Sequence, residues 1–88
     1  MLYGIHWEVI PEKASGVMKL YEEGKVVVPE GLKIVEEYMW GNRSLEIVET
    51  VDISFVLKYC IQFTPYVRDF EITALVTAKE FLPKPRSP

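Results

Sequence analysis

Six patterned segments follow one another in this chain in the order strand, helix, strand, strand, helix, strand, and 88 residues leave no room for a second domain. That order is a strong constraint. A strand–helix–strand crossover is right-handed, so both helices are sent to the same side of one sheet. The other side of the sheet stays bare unless something covers it.

Tyr3, Ile5, Trp7 and Val9 alternate along Leu2 to Ile10, which predicts a strand with one apolar face. Its other face carries Leu2, Gly4, His6 and Glu8. Pro11-Glu12 opens a helix, with proline in the first turn and a carboxylate near the positive end of the dipole. Ala14, Val17, Met18 and Tyr21 follow at helical spacing, and Gly24 suits the residue just past the helix end. Lys25 to Glu30 reads as an extended connector or a short edge strand broken by Pro29.

Gly31-Leu32 starts a second strand that runs to Trp40, and Gly41-Asn42 is a two-residue hairpin signal before the return strand Arg43 to Thr50. Such a turn places Trp40 opposite Arg43, Tyr38 opposite Leu45, Glu36 opposite Ile47 and Ile34 opposite Glu49. It also sets Glu37 against Glu46; a bulge near Glu36-Glu37 would relieve that repulsion and swap part of the strand between faces. Asp52 is the expected cap of the second helix. Ile53, Val56, Leu57, Cys60 and Ile61 form its expected core stripe, with Phe55, Tyr59 and Phe63 as a second apolar stripe, up to a stop at Thr64-Pro65. Asp69 to Lys79 alternates as the last strand, and residues 81–88 form a proline-rich tail outside the 1–80 domain.

These elements give an α+β, ferredoxin-like βαββαβ chain with a four-stranded antiparallel sheet and two helices on one face. The bare face is expected to hold His6, Glu8, Glu71, Thr73 and Leu75 together with hairpin residues. Hydrophobic residues make up 49% of the chain and aromatics 12%, more than a small core hides. A second copy is the simplest cover, so a homodimer with a partly polar lumen is expected.

Net charge is −3 and the ten Lys and Arg residues are scattered, with a near-cluster only at Lys79, Lys84 and Arg86. Nucleic-acid binding is not expected, because RNA-recognition sheets use aromatics and a basic third strand, and the third strand here has Leu45, Glu46, Ile47 and Glu49 and no aromatic. The single cysteine, Cys60, excludes an iron–sulfur or Cys-x-x-Cys site and reads as a buried reduced thiol. No Gly-rich phosphate loop follows the first strand. No apolar run approaches the ~18 residues of a membrane span, and no basic leader opens the chain, so a cytoplasmic protein is expected. One Asn and one Gln beside abundant charge lean toward a thermophile.

Three short pieces carry a resemblance: Pro29-Glu30-Gly31-Leu32, the Glu49-Thr50 pair ahead of the Asp52-capped helix, and Asp69-Phe70-Glu71 leading into Val76-Thr77. Together they resemble the domain-of-unknown-function family 3303, over most of residues 2–80. The resemblance implies the dimeric α+β barrel form of the ferredoxin-like fold. The chain has Tyr38, Tyr59 and Phe63 where that family tends to show tryptophan, and Ala74 where it favours proline. The wider group of such barrels includes small monooxygenases, haem-degrading enzymes, isomerases and plain ligand binders, and fold does not choose among them.

His6, the only histidine, reads either as a general base in the lumen or as a strand residue at the dimer seam. Glu8, Tyr38, Glu71 and Thr73 are the expected ligand contacts, and Trp40, Arg43 and Leu75 the expected dimer contacts, with Arg43 placed to lie over Trp40. No cofactor or metal is expected. The leading expectation is a homodimer that binds a small molecule in its lumen. The alternatives are a cofactor-independent monooxygenase- or isomerase-like enzyme using His6, and a structural dimer with a filled barrel.

Overall fold

The first strand, β1 (Leu2–Val9), lies between two neighbours and carries the centre of the core. The structure is a computed structural model and describes residues 1–83; residues 84–88 of the expected tail lie outside the described residues. After a 3-10 turn at Pro11–Lys13 come α1 (Ala14–Glu22), β2 (Lys33–Trp40), β3 (Arg43–Glu49), α2 (Ile53–Cys60), β4 (Val67–Leu75) and a short α3 (Ala78–Phe81). All strand pairings are antiparallel, and the sheet order is β2-β3-β1-β4. That is the α+β ferredoxin-like arrangement.

The alternation in β1 works as expected. Tyr3, Ile5 and Trp7 are buried against Val56, Tyr59, Cys60 and Phe63 of α2 and the turn after it. Asp52 caps α2, its Oδ1 accepting from the Ser54 backbone N–H at 2.9 Å. Gly41 turns the hairpin at φ 60°, and five pairs from Trp40–Arg43 to Glu36–Ile47 stand in the expected register.

The bulge in β2 falls between Ile34 and Glu36, earlier than expected. It moves Ile34 opposite Val48 and onto the helix side, but it leaves Glu37 opposite Glu46. β4 starts at Val67 rather than Asp69 and ends at Leu75 rather than Lys79. Its ladder stops because β1 pairs with it only as far as Leu2, while Met1 exchanges backbone bonds with Thr50 instead.

The helices pack differently from the expected stripes. In α2 the buried set is Val56, Tyr59 and Cys60, followed by Phe63, while Ile53, Leu57 and Ile61 face outward and Ile61 is 68% exposed. The helix also ends sooner, passing at Cys60 into hydrogen-bonded turns. Every residue of α1 is at least partly exposed, including Val17, Met18 and Tyr21. Its first turn is pinned: Gly16 lies so close to Tyr66 that a Cβ there would come within 2.6 Å of the ring. Lys13 Nζ donates to the Pro65 carbonyl at 3.0 Å. The connector after α1 forms no strand. Gln62 holds it, accepting from Val27 N–H at 2.8 Å and donating to Val27 O at 2.7 Å.

Candidate functional site

The register sorts the side chains of the open face into rows. Tyr38, Leu45, His6 and Glu71 form one row, and Trp40, Arg43, Glu8 and Arg68 the next. Glu36, Ile47, Gly4 and Thr73 form a third, and Glu49, Leu2 and Leu75 close the series. Every site residue expected from the sequence therefore stands on this face. Their contacts differ from expectation. Trp40 lies against His6, with ring centroids 5.8 Å apart, instead of under Arg43. Glu8 is paired with Arg68, whose Nε donates at 2.9 Å. That bond, with the charges of Arg68 and Arg43, holds the Glu8 carboxyl below its ordinary range. Glu71 and Thr73 are exposed, and Leu75 is half-buried over Gly4.

Arg68 was hidden by a second bulge. β1 and β4 slip between His6 and Glu8, where Asp69 sits in the left-handed region at φ 52°. Without the extra residue, Glu8 would face Asp69, a like charge. With it, Glu8 faces Arg68.

The other face of the sheet holds what the sequence did not signal. Under α1 a cavity of about 200 Å³ is lined by Trp7, Val9, Val17, Met18, Tyr21, Glu37, Met39, Ser44, Glu46, Phe63 and Val67. Trp7, Ser44, Glu46 and Phe63 are buried and make its floor, while Met18, Tyr21, Glu37 and Met39 are exposed and rim its mouth. Helix α1 above it is held at its first turn and buries none of its own residues. Trp7 and Phe63 stack at 5.3 Å, and Tyr21 reaches Phe63 at 6.2 Å. Larger depressions beside Met1 are open surface grooves.

Glu46 is the unusual member. It is 4% exposed, yet it carries a carboxyl. Tyr59 donates its hydroxyl to Glu46 Oε1 at 3.1 Å, and Oε2 is buried without a hydrogen-bond partner among the described residues. Burial pushes the Glu46 carboxyl up to about 7, and the charge of Glu37 across the strand adds to the rise. Burial likewise pushes the Tyr59 phenol up. It raises the Cys60 thiol to about 12, which leaves Cys60 an unreactive core residue. Among the described residues no three His, Cys, Asp or Glu side chains converge as metal ligands. No described helix is long and apolar enough to cross a membrane.

A signal for Glu46 was present but mute. The hairpin register put it on one face with Val48, and which face met the helices was not legible. Among known proteins, the chain matches the family described as "Domain of unknown function (DUF3303)" over residues 1–84. No curated protein and no solved structure matches it significantly. With nearly its whole length matched and the ferredoxin-like strand order in place, the chain belongs to the domain-of-unknown-function family DUF3303.

Proposed function

We propose that this protein is a small-molecule-binding homodimer. Two copies meet through the open sheet face, and each copy takes its ligand in the cavity between α1 and the sheet. The observation that carries the ligand site is Glu46 Oε2, a buried carboxylate oxygen left without a partner beside an apolar space. A buried polar atom without a partner costs about 1–3 kcal/mol, more if charged. A fold tolerates that cost where something else supplies the missing bond.

The pairing of copies is supported by β3. Its polar residues Ser44 and Glu46 are buried behind the sheet, while apolar Leu45 and Ile47 sit on the open face. Leu2 and Leu75 extend the apolar strip, and Tyr38 and Trp40, each 49% exposed, flank it. A solvent-facing sheet surface ordinarily shows the reverse pattern.

Protein-observed NMR with a fragment library tests the ligand site. Shifts clustered at Trp7, Ser44, Glu46 and Phe63 are expected. Shifts clustered at Gly4, His6, Leu45 and Ile47 would move the site to the lumen between copies and revive the His6-centred enzyme. No clustered shift would remove the binding role.

A further inference from the structure

The cavity under α1 is chemically one-sided. Its lining includes two carboxyl groups, Glu46 on the floor and Glu37 at the mouth, and no lysine or arginine. The two are direct cross-strand partners on the same face of the sheet. Like charges set opposite each other destabilise a sheet. The β2 bulge does not separate them, and among the described residues neither forms a salt bridge. Beside them the rings of Trp7 and Phe63 stack, and Tyr21 covers Phe63 from α1.

We propose that the ligand is a small organic cation, a protonated amine with an apolar body; this rests on the cavity being the binding site. An ammonium group carries three donors and no acceptor. One donor pairs with the Glu46 carboxyl, whose sheltered Oε2 turns toward the ligand to accept it, and another reaches toward Glu37. The charge then neutralises the repulsion that the strand pairing leaves. The apolar body lies against aromatic faces, which themselves attract cations. The space equals roughly six or seven waters of bulk liquid, which sets the ligand's size. An anion would meet two carboxylates, and a neutral hydrocarbon would leave Oε2 as bare as before. Ca²⁺ or Mg²⁺ would need about six oxygen ligands, which two carboxyls in an apolar lining do not supply.

The test compares benzylamine with its neutral isostere benzyl alcohol and with benzoate, titrated at pH 7.5 by calorimetry with NMR to locate the site. Benzylamine is expected to bind in the cavity at least tenfold more tightly than benzyl alcohol, and benzoate not at all. Glu46→Gln is expected to weaken benzylamine at least tenfold and to leave benzyl alcohol within threefold. Glu37→Gln is expected to weaken benzylamine by a smaller factor. Benzyl alcohol binding the cavity as well as benzylamine would overturn the cation assignment while the cavity stands as a site. Failure of both to shift Trp7, Ser44 or Phe63 would overturn the assignment together with the reading beneath it. Benzylamine shifts confined to surface carboxylates would overturn it as well.

Discussion

The Tyr59 hydroxyl donates to one oxygen of Glu46 at 3.1 Å, and the other oxygen of that carboxylate is buried without a partner. One phenol on α2 therefore supports half of a carboxyl group on β3. Burial of that carboxyl gives the protein a stability that depends on pH. Glu46 has a folded value near 7 against an ordinary value of 4.5. Below 4.5 it is protonated in both states and costs nothing. As pH rises from 4.5 to about 7 the unfolded chain ionises while the folded carboxyl holds its proton, so stability falls by about 3 kcal/mol across that window and levels off above it. Tyr21, Tyr59 and Cys60, which surround it, are all pushed upward and stay silent in this window. Urea unfolding at pH 5 and pH 8 should show the wild type weakening, while Glu46→Gln stays nearly flat. Equal slopes in both proteins would contradict the burial of the charge.

Ile47 stands mid-strip on the open face, beside Gly4 in the register. Lysine in that position would have to be desolvated between two copies, so Ile47→Lys should weaken dimerisation at least a hundredfold. Sedimentation velocity should show a dimer for the wild type at micromolar concentration and a monomer for the variant, with unchanged circular dichroism. A monomeric wild type would end the dimer proposal.

Cys60 is buried and its thiol is raised by burial to about 12, so thiolate is scarce at pH 8. Iodoacetamide should label the native protein at least a hundredfold more slowly than the urea-unfolded chain, as read by mass spectrometry. Fast labelling of the folded form would show that α2 leaves the sheet readily.

Gly31 sits at φ 95°, and a Cβ there would meet the Phe55 ring at 3.2 Å. Gly31→Ala should cost about 1–3 kcal/mol in chemical denaturation. Asp69 already tolerates the left-handed region at φ 52°. Asp69→Gly should change stability by no more than about 1 kcal/mol. A neutral Gly31→Ala would mean that the 25–32 connector repacks freely.

Much of the frame was legible because it depends on local rules. A period of two in Tyr3, Ile5, Trp7 and Val9 fixes one face of β1 whatever surrounds it. Gly41 fixes the hairpin, and the hairpin fixes five cross-strand pairs. Asp52 caps α2 through a bond two residues away. The bulges were harder. The Glu37–Glu46 conflict hinted at one, but its place at Val35 depends on Ile34 meeting Val48 in the core. The bulge at Asp69 exchanges a repulsive partner of Glu8 for Arg68, a choice between strands 60 residues apart.

The sequence by itself determined the order of elements, the antiparallel sheet and the side of β1 that meets the core, since each follows from periodicity, turn chemistry and chain handedness. Only the tertiary structure decided which stripe of α2 turns inward and how loosely α1 sits. It also decided that β3 hides Glu46 while showing Leu45 and Ile47. Alternation names two faces but does not rank them. Tyr59 gives Glu46 a partner in the interior, and that long-range hydrogen bond accompanies the burial of the polar face.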